Sequence, residues 1–218
     1  MRIAILVLSA LVVTGCAAGT AEGPPASAPA SPSERPGASA SPGPSETGGQ
    51  YRVRYGWAVP STRTEVANQV PVPLPGIPLP YLVEIHVGDH PAEDPAYSRI
   101  SFYFRGAFPA YNFNYARQVV SEGQGDPLPL EGNAFLRLQF VNAQAHDNAG
   151  RSTVRTAADQ HIGYRNLRGY GFGGDFEGTL TYGLGIQVAA GGDQALPIRI
   201  GELKRPDGFC VVAVDVRG

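Results

Sequence analysis

Apolar and polar residues alternate one by one along several stretches of this chain, and a period of two admits strands and excludes amphipathic helices. Over 97–105, Ile100, Phe102 and Phe104 fall on one side, while Tyr97, Arg99, Ser101, Tyr103 and Arg105 fall on the other. Leu136, Leu138 and Phe140 alternate with Arg137 and Gln139. Leu180, Tyr182, Leu184, Ile186 and Val188 alternate with Thr181, Gly183, Gly185 and Gln187. Shorter runs of the same kind place further strands at 51–59, 81–87, 111–117, 197–203 and 209–216. Glycine and proline clusters at 123–129, 169–174 and 189–193 read as the turns between them. No window carries the i, i+3, i+4, i+7 apolar stripe of a helix; the closest, 143–160, is almost wholly polar and reads as a long loop or a short surface helix. The expected fold is all-β, a small β-sandwich or open barrel of about seven to nine strands.

The first fifty residues obey different rules. Met1-Arg2 leads into an apolar run from Ile3 to Val13, which closes on Val13-Thr14-Gly15-Cys16. A basic start, a short apolar run and then small residues describe a secretory signal peptide over 1–15, too short to cross a bilayer as a helix. A cysteine directly after Thr-Gly resembles a bacterial lipobox, which implies cleavage before Cys16 and a diacylglycerol on its thiol. The chain is then expected on the extracytoplasmic face of the cell membrane, held there by its lipid. From 17 to 50 only small, polar, proline and charged residues occur, with nothing to bury against the entropy of ordering, so a disordered stalk over 16–50 is expected. Such a stalk spans on the order of 30 Å as a coil and ~100 Å when drawn out. Residues 51–218 remain as one domain with room for a core.

Loss of the leader removes Arg2 from a formal net charge of -2 and leaves -3. That balance excludes the basic excess that nucleic acid demands. With Cys16 lipidated, Cys210 has no intrachain partner, and its setting in Phe209-Cys210-Val211-Val212 reads as that of a small buried hydrophobe. The proline run in 71–80 reads as extended chain lying along the domain.

Several segments together resemble the AMIN-like domain of secreted proteins and lipoproteins of actinobacteria. They are Val87-Gly88-Asp89-His90 before the 97–105 strand, Gly106-Ala107-Phe108-Pro109-Ala110-Tyr111-Asn112-Phe113-Asn114-Tyr115, and Asp175-Phe176-Glu177-Gly178-Thr179-Leu180-Thr181-Tyr182-Gly183-Leu184-Gly185-Ile186, followed by the closing Val211-Val212-Ala213-Val214-Asp215-Val216. The likeness runs over 83–217. Arg205-Pro206-Asp207-Gly208 departs from the family's proline-arginine step before the last strand, and 143–160 is an insertion. The resemblance implies a small β-sandwich. It also implies a binding or localisation role at the cell envelope, with peptidoglycan or another envelope component as partner; a passive interaction or spacer module of an envelope complex is the alternative.

Catalytic motifs are scarce, and no cofactor or metal is called for. There is no Gly-x-Ser-x-Gly elbow, and the glycines of 169–174 open no helix that could cradle a phosphate. The chain is therefore expected not to be an enzyme. The less favoured option is a glycan hydrolase using Asp175 and Glu177 at a strand entrance, with Phe176 between them facing inward. His86 and His90 would reach one metal only if a turn at Gly88-Asp89 folded them together, and a plain turn is the expected reading. For ligand binding, Arg99, Tyr103 and Arg105 form an aromatic-basic strip, with Tyr111 and Tyr115 of one parity on the next strand. A second sheet covering that face is the competing reading. His161, Arg165, Arg168, Tyr170 and Phe172 form another such cluster, expected in a loop.

Overall fold

The computed structural model describes residues 49–68, 79–190 and 195–218. The leader, Cys16 and most of the 16–50 segment lie outside the described residues, as do eight positions of the proline run, 71–78. Eleven strands follow in order: β1 (Tyr51–Ala58), β2 (Thr64–Val66), β3 (Tyr81–His90), β4 (Tyr97–Arg105), β5 (Ala110–Ala116), β6 (Ala134–Val141), β7 (Thr156–Ala157), β8 (Leu167–Phe176), β9 (Thr179–Ile186), β10 (Ile198–Lys204) and β11 (Cys210–Arg217). They form a six-stranded sheet, β1-β10-β11-β4-β3-β7, and a five-stranded sheet, β2-β5-β6-β9-β8. The fold is all-β, a sandwich of two sheets, and no helix occurs among the described residues.

The alternation of the sequence decides which side chains meet between the sheets. Ile100, Phe102 and Phe104 from β4, Leu136, Leu138 and Phe140 from β6, and Leu180, Leu184 and Ile186 from β9 are fully buried in one cluster. Phe102 packs edge-on against Phe140 at 5.0 Å and tilts on Tyr182 at the same distance, so both sheets share one aromatic centre. Burial of each such side chain contributes about 1.5–3 kcal/mol, enough to hold register against a one-residue slip that would expose the whole set.

The five-stranded sheet is also covered on part of its outer face. The 117–133 loop lies back across β8 and β9, held by Leu128 N to Val119 O at 2.8 Å and Asn133 N to Ile186 O at 2.9 Å. Its approach explains the glycines of the strands beneath. A Cβ at Gly185 would sit 2.0 Å from the Glu131 carbonyl oxygen, and one at Gly183 would sit 2.7 Å from a Leu130 methyl. The 169–174 glycines therefore belong to strand β8 rather than to the turn expected there. Glycine supplies no apolar beat, so the period-two signal fails along β8, where glycines crowd 169–174. β8 and β9 join through Glu177 and Gly178, both at positive φ (49° and 72°), the backbone a two-residue hairpin turn requires.

The 143–160 insertion is a loop bearing the two-residue strand β7, which runs parallel to β3 through Glu84↔Thr156 and Ile85↔Ala157. Gly88 and Asp89 lie inside β3, which continues to His90, so the turn expected there is replaced by extended strand.

Candidate functional site

The strip of Arg99, Tyr103 and Arg105 lies on the outer face of the six-stranded sheet, but it is not open. Arg99 is 9 % and Tyr103 6 % exposed. β4 is flanked by β11 and β3 in register, with Asp215 opposite Arg99, and with Val211 and Glu84 opposite Tyr103. Cross-strand neighbours at that spacing cover one another. Asp215, wholly buried, accepts from Arg99 Nε at 2.6 Å and Nη2 at 3.1 Å, and from Arg199 Nε at 2.8 Å. Tyr103 is packed into a satellite cluster with Val83, Leu203, Phe209 and Val211. Arg105 is half-buried; its guanidinium lies 3.7 Å over the Phe209 ring, and Nη1 donates to the Asp207 carbonyl.

Tyr111 and Tyr115 point into the sandwich, which corrects their placement on a binding face. Their parity is that of Phe113, a core residue. Tyr111 is 1 % exposed and donates to Glu202 Oε1 at 3.2 Å, inside a polar network that also ties Arg54 Nη1 to Glu202 Oε2 at 2.8 Å and Asn68 Nδ2 to Glu202 Oε1 at 2.7 Å. Tyr115 donates to the Leu196 carbonyl at 2.8 Å. Burial raises both phenols above their ordinary pKa.

At the far end of the same outer face stands an array that the sequence reading did not single out. His90 stacks on Tyr97 at 4.4 Å with only 20° between the rings, and Trp57 lies 6.1 Å from Tyr97. The Arg199 guanidinium sits 4.6 Å from the Trp57 ring and 5.0 Å from that of Tyr97. All four side chains are half-buried. They come from β3, β4, β1 and β10, strands that only the topology makes neighbours. The one available signal was Trp57, the single tryptophan of the chain.

A second feature opens between the sheets, where β3 and the 143–160 loop face β8. It is a cleft of about 480 Å³, with Ile85, Val154, Tyr170, Phe172 and Tyr182 among its apolar walls. His146 and Asp175 stand at its polar end. Asp175 Oδ2 accepts from Ala145 N at 2.7 Å and meets His146 Nδ1 at 2.5 Å. Asp175 Oδ1 is buried and has no partner among the described residues. Tyr170 and Phe172 were expected in a loop cluster with His161, Arg165 and Arg168, but Arg168, Tyr170 and Phe172 are strand residues of β8, and of these the two rings line the cleft. His161 meets Glu131, while Arg168 donates to the Gly163 and Tyr164 carbonyls.

Asp175 and Glu177 occupy different environments: the first borders the cleft, the second sits exposed in the hairpin turn. Phe176 between them is 61 % exposed, against the inward orientation expected of it. An irregularity in β8 between Phe172 and Gly174 explains this: it shifts the parity, so that Asp175 lies opposite the core residue Leu180 and Phe176 lies opposite Thr179 on the outer side. His86 meets Glu84 at 2.8 Å. No group of three or more His, Cys, Asp or Glu side chains suited to a metal occurs among the described residues. Cys210 is buried, at 1 % exposure, with the Lys204 ammonium 3.0 Å from its sulfur. No helix among the described residues is long and apolar enough to cross a membrane.

Comparison with protein families matches residues 80–218 to the AMIN-like domain. No curated protein and no solved structure matches the chain.

Proposed function

We propose, for a chain that belongs to the AMIN-like domain family, a role as a non-catalytic binding module of the cell envelope that docks on peptidoglycan. The observation that carries this reading is the row of His90, Tyr97, Arg199 and Trp57 on the six-stranded sheet. Half-exposed aromatic rings offer flat apolar faces to sugar rings. The guanidinium between two of them is anchored on Asp215 through Nε and Nη2, which leaves Nη1 for a ligand carboxylate, and wall glycan with its peptide stems carries both chemistries. Four strands hold the row, so little side-chain freedom is lost on docking. The lipid at Cys16 and the 16–50 stalk belong to the same proposal: the anchor keeps the domain at the membrane, and the stalk lets it reach the wall.

Cosedimentation of the chain with purified cell-wall sacculi tests the reading. Trp57→Ala is expected to weaken binding roughly ten-fold, about 1.4 kcal/mol. Retention of full binding by a Trp57→Ala, Tyr97→Ala double variant overturns it, as does failure of the unaltered chain to sediment with wall. Mass spectrometry of the membrane-extracted protein checks the anchor, which requires a diacylglyceryl adduct on an N-terminal Cys16.

A further inference from the structure

The cleft between the sheets lies apart from the Trp57 row, which uses none of its lining residues. Its volume, about 480 Å³, falls in the range of small-molecule sites, and its make-up is that of such sites: apolar walls with a few convergent polar groups. Three aromatic rings line it, with Phe172 tilted on Tyr182 at 5.3 Å and Tyr170 at 6.4 Å from Tyr182. Phe172 is 44 % exposed, an unusual cost for a phenylalanine on the inward side of a strand. The phenol of Tyr170 is committed to the Ala158 carbonyl at 2.6 Å, which fixes that ring in place.

At the polar end Asp175 stands with His146 beside it. Asp175 is held from one side only: the Ala145 amide and His146 both address Oδ2, and Oδ1 receives no donor from any described residue. A buried carboxylate oxygen without a donor is costly, and none of the described residues offers one to Oδ1. Among the described residues no arginine or lysine lines the cleft. The Arg151 guanidinium of the adjoining loop is committed to Asp147 at 2.8 Å. What fits there is a compact cation on an apolar body. Aromatic rings attract such a cation through their quadrupoles, and the carboxylate attracts it by charge.

We infer that this inter-sheet cleft is a binding site for a small free organic ammonium molecule, its apolar body against Tyr170, Phe172 and Tyr182 and its cationic head at Asp175. The residues divide the work. Phe172 and Val154 close the apolar mouth, while Asp175 sets the sign of charge that the site accepts.

Amide-resolved NMR titration of the full chain tests this with three matched probes: phenethylammonium, 2-phenylethanol and phenylacetate. Phenethylammonium is expected to shift the amides of Tyr170, Phe172, Asp175 and Tyr182 and to bind at least ~10-fold tighter than the alcohol, with phenylacetate weakest. Asp175→Asn is expected to abolish the preference for the cation over the alcohol, and Phe172→Ala to weaken both. Equal affinity for cation and alcohol overturns the inference, as does the absence of any shift in the low millimolar range, or shifts confined to residues outside the cleft. Should Asp175→Asn fail to fold, Phe172→Ala decides, because that residue is already 44 % exposed and its loss is the milder one; unchanged phenethylammonium affinity in that variant sinks the proposal.

Discussion

Replacing Gly185 by alanine probes the tightest site among the described glycines. The new methyl would stand 2.0 Å from the Glu131 carbonyl oxygen and 3.1 Å from its carbon. Carbon and oxygen rest at ~3.3 Å or more, so the 131–133 backbone must retreat by about 1.3 Å. It is poorly placed to do so. Asn133 N donates to Ile186 O at 2.9 Å, while its side chain donates to Val188 O at 3.0 Å and accepts from Val188 N at 2.8 Å. Overpacking of about 1–3 kcal/mol and the weakening of one or two hydrogen bonds at about 1 kcal/mol each act together. Alanine's better backbone entropy returns about 0.5–1 kcal/mol. The expected net loss is about 2–4 kcal/mol, or roughly 5–15 °C in Tm for a domain of this size. Gly171→Ala is the control, since the nearest neighbours of its methyl would be side-chain atoms, Leu130 Cδ2 at 3.2 Å, Leu128 Cδ1 at 3.5 Å and Leu128 Cβ at 3.7 Å, the two closest being movable ends. That variant is expected within about 1 kcal/mol of the parent. Urea unfolding followed by circular dichroism measures both. Equal stability of Gly185→Ala and the parent, or equal losses in the two variants, refutes the view that loop cover dictates these glycines.

Two further outcomes follow from the buried polar groups. Asp215→Ala leaves the Arg99 and Arg199 guanidinia without their shared carboxylate and is expected to cost about 3–5 kcal/mol in urea unfolding, far more than Arg199→Ala, whose side chain is 23 % exposed. Tyr111, Tyr115 and Tyr182 have their phenol pKa raised by burial. The folded state therefore holds these protons more tightly than the unfolded chain, and their contribution is complete below the ordinary phenol value of about 10. It is lost as pH rises past that value and through their folded-state pKa; Tyr111→Phe is expected to flatten this alkaline decline, read by chemical denaturation across the pH series.

The inward set of β4, β6 and β9 was legible because alternation carries its own register: Ile100, Phe102, Phe104, Leu136, Leu138, Phe140, Leu180 and Leu184 are all fully buried. The outward set was not. A polar beat says that a residue leaves the core, not that it meets water, and Tyr103 leaves one cluster only to enter another. β8 escaped notice because Gly171 and Gly174 answer to Leu130 and Glu122 of a loop far back in the chain, a relation no local window contains. The Trp57 row and the cleft both arise from strands brought side by side by the crossing connections. Asp175 belongs to a motif visible in the sequence, but its environment comes from Ala145 and His146 in the insertion.

Chain order puts β1 at the rim of the six-stranded sheet, with Tyr51 opposite Leu203 as its first pair. Any tension arriving through residue 50 thus reaches the domain at the end of a rim strand and peels it pair by pair, the geometry of least mechanical resistance. The Arg54 bridge to Glu202 stands three residues along that path, fastened on its inner side by Asn68. It acts as a rivet: a tug that undoes the opening pairs must break a desolvated charge contact before the strand can unzip further, and the rest of the sandwich stays shut meanwhile.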